Sequence, residues 1–187
     1  MDLKRTAVLA MDYQELLVNN YTPDAKRAVE KVSEVLEKAR SAKLPVIYVT
    51  VGFSAGYPEV SENNMIFKAV RDGQRFLTDS DDAQIPLEIA PRDGDLRVAK
   101  HRVSAFEGTS LEMLLRARGI DTLILFGITT SGVVLSTVRQ AADRDYKLIV
   151  LEDLCYDTDD VHQFLMEHIL NRQAEVTTSA AFLDSIA

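Results

Sequence analysis

The amino-acid sequence predicts a single-domain α/β fold, a doubly wound, Rossmann-like sheet of about six mostly parallel strands with helices on both faces. Three observations carry that expectation. Short apolar runs rich in β-branched residues recur along the chain without polar alternation, as in strands buried on both faces. Stretches of helical periodicity separate those runs. With 187 residues the chain has the size of one domain, able to bury roughly 70% of its unfolded surface.

The first strand is Thr6 to Met11, closed by Asp12. A crossover helix follows, with Thr22 expected as N-cap, Pro23 at the first helical position, and Ala25, Ala28, Val29, Val32, Val35, Leu36 and Ala39 facing inward. Pro45 to Val51 is the second strand. Residues 52–95 break the rhythm: four glycines and three prolines surround one short helical run near Met65 to Val70. An irregular insertion of this length in a compact domain is expected to be a lid or specificity region. Leu96 to Ala99 is a weaker strand, ended by Lys100.

A second helix is expected from Thr109, whose spacing from Glu112 fits a capping box, with Leu111, Leu114 and Leu115 inward and a stop at Gly119. Asp121 to Gly127 is a strand, and a helix after Ser131 turns Val134, Val138, Ala141 and Ala142 inward. Lys147 to Glu152 is the next strand. Thr158 then caps a helix with Val161, Phe164, Leu165, His168 and Ile169 on one face, and Glu175 to Thr178 is a last, weaker strand.

The 21 basic and 29 acidic side chains leave a formal charge of −8, which repels phosphate backbones and anionic lipid. Nucleic acid and membrane are therefore excluded as partners, and a small-molecule substrate is expected. No apolar run approaches the ~20 residues of a membrane span. The run from Ala7 to Met11 is too short for a signal-peptide core. The single cysteine, Cys155, cannot form an intrachain disulfide, which fits a cytoplasmic location, and it reads as a small buried hydrophobe.

Ligands of open parallel sheets bind beyond the carboxyl ends of the strands. Asp12, Lys100 and the turn from Gly127 to Val133 all lie at such ends. An acid, a base and a set of backbone N–H donors suited to an oxyanion or carboxylate can thus converge from distant parts of the chain.

Ala10-Met11-Asp12-Tyr13-Gln14, the stretch from Lys100 to Thr109 (KHRVSAFEGT), Gly127-Ile128-Thr129-Thr130, Thr137, Ala141 and Leu151 to Cys155 follow one another in order. In these the chain resembles the isochorismatase-like (cysteine hydrolase) superfamily over nearly its whole length except residues 52–95. The resemblance implies a six-stranded doubly wound fold with the active site at the strand ends. It also implies a hydrolase of a small, carboxylated metabolite, no cofactor, and a homo-oligomer, dimer or tetramer.

The resemblance assigns catalysis to Asp12 and Lys100, which in most relatives accompany a nucleophilic cysteine. The matching position here is Val133, so the covalent route lacks its nucleophile. True isochorismatases need none: their aspartate protonates the alkene carbon of a vinyl ether, water attacks the oxocarbenium ion, and pyruvate leaves. By that analogy Asp12 is the general acid and Lys100 helps hold an anion. Gln14, Phe106, Ile128, Thr129 and Gly132 match substrate-binding or supporting positions, and Ile128-Thr129 matches a cis peptide bond. Ser104 lies in the same motif, where packing explains it equally well.

Two alternatives accompany this reading. One is a non-catalytic ligand-binding or interaction member of the family. The other is an amidase whose nucleophile comes from Thr129, Thr130 or Ser131, hydroxyls that turn and cap chemistry also explain. An ammonium near Asp12 lowers its pKa whereas burial raises it, and the balance decides whether Asp12 can act as an acid.

No metal site is expected. Nicotinamidase-like relatives bind a metal through an aspartate and histidines after the second strand, and the matching stretch, Thr50 to Tyr57, has neither. His101, His162 and His168 are scattered. Tyr57, Arg71 and Arg75 of the insertion are further candidates to meet an anionic substrate, against the ordinary role of exposed arginines as solvated surface.

Overall fold

The computed structural model describes residues 1–186. Its strands are β1 (Thr6–Met11), β2 (Val46–Val51), β3 (Leu96–Lys100), β4 (Thr122–Ile128), β5 (Lys147–Tyr156) and β6 (Glu175–Thr177). They form one sheet in the order β3-β2-β1-β4-β5-β6, every pair parallel. The central strands β1 and β4 are buried along their whole length, which is why they read as unbroken apolar runs. The chain winds outward from β1 to β3, then returns to the other side of β1 and winds to β6. The direction therefore reverses between β1 and β4, the place where such sheets open a ligand crevice.

The helices are α1 (Glu15–Tyr21), α2 (Ala25–Ser41), α3 (Met65–Asp72), α4 (Leu111–Ala117), α5 (Leu135–Ala142), α6 (Asp159–His168) and α7 (Ser179–Ser185). Right-handed crossovers place α1 and α2 on one face of the sheet and α4, α5 and α6 on the other. The last helix, α7, returns to pack beside α2. Among the described residues no helix is long and apolar enough to cross a membrane.

Three local expectations are corrected. The cap of α2 is Asp24, which accepts a hydrogen bond from Arg27 N at 3.1 Å. Thr22 instead ends α1, its hydroxyl donating to Val18 O at 2.7 Å, because a helix already occupies the stretch before it. The capping box at Thr109 does not close: Thr109 Oγ1 accepts from Leu111 N at 3.2 Å, but Glu112 is drawn away by Arg116 at 2.7 Å. On α6, Val161 and Phe164 are exposed and the inward stripe is Leu165 and Met166. That helix flanks β5 near the edge of the sheet, where only a narrow stripe meets other atoms.

Two apolar cores result. The main one surrounds the sheet. A smaller one, built from the insertion on the end of β2, gathers Val51, Phe53, Tyr57, Phe67 and Phe76. One contact fixes where β1 and β4 meet. Met11 pairs with Gly127, and a Cβ on Gly127 would lie 2.6 Å from Met11 O. Only glycine lets the two strands run side by side up to Asp12.

Candidate active site

A cavity of about 490 Å³ opens at the β1–β4 switch point. The strand ends contribute Asp12, Val51, Lys100, Ile128, Thr129, Gly132 and Val133; α1, α3 and the insertion contribute Leu16, Leu17, Phe67, Val70, Arg75 and Phe76. A larger cleft of about 820 Å³ lies at the opposite, amino ends of the strands. It is lined by surface groups such as Arg5 and Asp121, which pair with each other. The carboxyl-end cavity is the one placed for chemistry.

Asp12 follows the last residue of β1 and adopts the left-handed conformation, φ 58°, which aspartate and asparagine tolerate better than most residues. Its backbone N–H donates to Val49 O at 2.8 Å, and its carbonyl accepts from Gln14 N at 2.8 Å. The turn is thereby fixed from both sides. Lys100, at the end of β3, reaches past the end of β2 to place Nζ 2.8 Å from Asp12 Oδ2. The two side chains are only 3% (Lys100) and 7% (Asp12) exposed.

Lys100 Nζ also donates to Arg102 O at 3.2 Å, which leaves one of its three N–H groups free for a ligand. Asp12 Oδ1 is buried and has no hydrogen-bond partner among the described residues. Burial raises the Asp12 carboxyl above its ordinary 3.8, and the charge and hydrogen bond of Lys100, with the nearby Val51 N–H, draw it part of the way back. The cavity thus holds a carboxyl whose proton affinity is increased and whose second oxygen is uncommitted.

The turn after β4 supplies the facing wall. The Ile128-Thr129 peptide bond is cis, and Thr130–Val134 form one π-helical turn before α5. Thr129 Oγ1 caps this turn by accepting from Gly132 N at 3.1 Å. A Cβ on Gly132 would come within 2.7 Å of that oxygen, so a larger residue there would push the cap aside. Val133, 2% exposed, presents its apolar side chain to the cavity at the position that the resemblance pairs with a nucleophilic cysteine.

Asp12, Lys100, Ile128, Thr129, Gly132 and Val133 are therefore brought together, whereas Gln14 and Phe106 are not. Gln14 lies behind the cavity. Its Nε2 donates to Val51 O at 2.8 Å and Ala83 O at 2.7 Å, and its Oε1 accepts from Val51 N at 2.9 Å. It fastens the end of β2 to the insertion. Phe106 is buried under the Arg144 guanidinium, against Tyr146, and faces the core. Ser104 bonds to Gln140 and to Phe106 N.

Two of the three hydroxyls considered as substitute nucleophiles are engaged away from the cavity, and the third, Thr129 Oγ1, caps the turn. Thr130 is fully buried with Oγ1 2.9 Å from His162 Nδ1. Ser131 donates through N and Oγ to Asp157 Oδ2 at 2.8 and 2.6 Å. Neither lines the cavity. Of the insertion candidates, Tyr57 turns its hydroxyl to Arg75 O at 2.8 Å, and Arg71 pairs with Glu62 and Asp72. Only Arg75 reaches the lining.

Sequence reasoning missed the contribution of α1, whose Leu16, Leu17, Asn20 and Tyr21 form one side of the cavity. At seven residues this helix is too short for periodicity to stand out; the i, i+4 spacings of Leu16 with Asn20 and Leu17 with Tyr21 are its only trace. Among the described residues no group of three or more His, Cys, Asp or Glu side chains is arranged to hold a metal ion.

Fold and site together define a Rossmann-like α/β protein with a buried aspartate–lysine pair at its switch point. Comparison with known proteins gives the family: the isochorismatase domain matches residues 6–181, and the chain belongs to the isochorismatase family of hydrolases. An isochorismatase family protein, YecD of Escherichia coli O157:H7, is 31% identical over 191 residues, spanning 100% of this chain and 98% of that protein. The ureidoacrylate amidohydrolase RutB of Caulobacter vibrioides is 31% identical over 206 residues, spanning 97% of this chain and 91% of that protein. The crystal structure of a cysteine hydrolase from Pseudomonas syringae pv. phaseolicola 1448A superposes with a TM-score of 0.91 at 26% identity, covering 100% of this chain and 94% of that one.

Proposed function

We propose that this hydrolase works without a covalent intermediate, with Asp12 delivering a proton to the substrate and water supplying the attacking oxygen. The observation that carries the reading is the buried Asp12 carboxyl, its Oδ1 unpartnered and its pKa raised by burial, in a cavity where Val133 stands at the nucleophile's position. A carboxyl whose proton affinity is raised by burial is suited to act as a general acid. A valine neither attacks a substrate nor forms an acyl intermediate.

The reaction assigned is hydrolysis of a vinyl ether on a small carboxylated metabolite. Asp12 protonates the terminal alkene carbon, and the positive charge develops on the ether carbon and oxygen. Water adds to that carbon and returns a proton to the Asp12 carboxylate. The resulting hemiketal breaks into an alcohol and a 2-oxo acid. Lys100 neutralises the substrate carboxylate next to the alkene, and in doing so it relaxes its hold on Asp12, which raises the acid's pKa further as the complex forms. Apolar walls from Leu17, Phe67 and Phe76 keep the medium around this exchange of low polarity, which strengthens both effects.

The test is turnover of isochorismate by the purified chain, followed by pyruvate release, with Asp12→Asn in parallel. The expected result is release by the wild type, a loss of about 100-fold or more in the variant, and wild-type kcat/KM declining as pH rises through the raised Asp12 pKa. Hydrolysis of ureidoacrylate without pyruvate release from isochorismate would assign amide chemistry instead. Turnover of neither compound, with ligand binding retained, would favour a non-catalytic member of the family.

A further inference from the structure

We propose that Arg75 is the specificity-determining residue of this cavity, and that it selects substrates with a second anionic group, a carboxylate, at the end remote from the bond that breaks. The inference rests on the reading of the cavity as the substrate site, and it names a feature of the substrate that the acid–base pair leaves open.

The first ground is the cavity's charge. Asp12, Lys100 and Arg75 are the charged residues of the lining. Asp12 and Lys100 face each other at 2.8 Å and offset each other, which leaves Arg75 as the uncompensated charge. The chain as a whole carries −8, so long-range attraction does not bring an anion to this cavity. A local cation has to do so.

The second ground is that neighbouring cations are committed and Arg75 is not. Arg71 pairs with Glu62 and Asp72, Lys68 with Glu62, and Arg92 with Glu37. Arg102 donates to the carbonyls of Glu59 and His101. The Arg75 guanidinium makes no salt bridge or hydrogen bond among the described residues, and its planar fork is free for a bidentate carboxylate.

The third ground is that the backbone holds Arg75 in place while its side chain stays free. Its N–H donates to Val70 O at 3.0 Å, and its carbonyl accepts from the Tyr57 hydroxyl at 2.8 Å. The next residue, Phe76, donates from N to Asp82 Oδ2 at 3.1 Å and accepts at its carbonyl from Phe53 N at 2.8 Å. Apolar groups of Phe67, Val70 and Phe76 share the lining with Arg75 and the reacting pair. The ligand they fit is an apolar body with one carboxylate at Arg75 and its reactive end at Asp12 and Lys100.

The test is calorimetric titration of the full chain with two probes of matched shape, 3-phenylpropanoate and 3-phenylpropanamide. The wild type is expected to prefer the acid by about tenfold or more, as for a charge-assisted bidentate contact. Arg75→Gln, an exposed position whose change leaves the thermal midpoint in place, is expected to abolish the preference, and Arg75→Lys to retain a smaller one. Equal binding of acid and amide by the wild type, binding of neither at millimolar concentration, or an unchanged preference in Arg75→Gln would overturn the proposal. The readout is binding and not turnover. Failure to release pyruvate with the Arg75-dependent preference intact therefore overturns the reaction alone, and loss of the preference with pyruvate release intact overturns Arg75 alone.

Discussion

A carboxylate and an ammonium held 2.8 Å apart and nearly sealed from solvent give up hydration that their attraction regains only in part. Asp12 and Lys100 are accordingly expected to matter less to the stability of the fold than their burial implies, and to matter most as a pair. Asp12→Asn suits the left-handed backbone at that position, yet it leaves the Lys100 ammonium buried without a counter-charge. A loss of about 3 kcal/mol is expected by urea denaturation, and the double variant with Lys100→Met should recover most of it. A double variant no more stable than the Asp12 variant alone would mean that the pair stabilises the fold outright. The raised pKa of Asp12 sets the sign of its pH dependence. Its contribution to folding is greatest below its unfolded value and declines as pH rises through the folded one.

Among the elements, β5 carries a carboxylate whose pKa shifts in the opposite direction. Asp153 accepts from Lys31 Nζ of α2 at 3.0 Å and from Ser179 N and Oγ at the start of α7, both at 2.7 Å. Burial alone would raise its pKa, but the Ser179 and Lys31 contacts bring it below the usual 3.8. The stability it confers is therefore present above the unfolded value and lost as pH falls through the folded one, a window below about pH 4. Asp153→Asn is expected to cost about 2 kcal/mol at neutral pH and to flatten the acid limb of a melting-temperature profile. An acid limb identical to the wild type's would show that Asp153 does not clamp α2 to α7. The elements also differ in how far the sequence reveals them. Strands β1 and β4 were legible because burial on both faces demands an apolar run. The two weaker candidates proved to be the edge strands β3 and β6, where one side lacks a neighbour and polar residues enter. Helix α1 and the caps at Asp24 and Ser110 were not legible, since a cap depends on where the preceding element ends. Asp12 and Lys100 stood out as strand ends, but their contact spans the width of β2 and no spacing encodes it. Arg75 resembled any exposed arginine, because what distinguishes it is the engagement of Arg71, Arg92 and Arg102 elsewhere.

At the scale of the molecule, the cavity lies in a seam between the main core and the smaller core of the insertion. Phe53 is the centre of the smaller core: fully buried, it meets Tyr57, Phe67 and His101 at ring-centroid distances of 5.6, 5.4 and 5.8 Å. Phe53→Ala is expected to cost about 3 to 5 kcal/mol, borne locally. Amide hydrogen exchange should quicken across residues 53–78 while β1 and β4 keep their protection. Equal loss of protection across the sheet would mean that the two cores unfold as one unit.

The seam gives the ligand a structural part of its own. Asp12 and Lys100 belong to the sheet, whereas Arg75 and Phe76 belong to the insertion, so a molecule that touches both bridges the two cores. At a concentration of about 100 times its dissociation constant, such a ligand adds about 2.7 kcal/mol to the work of pulling them apart. A substrate in this position is a removable keystone, wedged between the two cores while it is whole and gone once its two halves no longer span the gap.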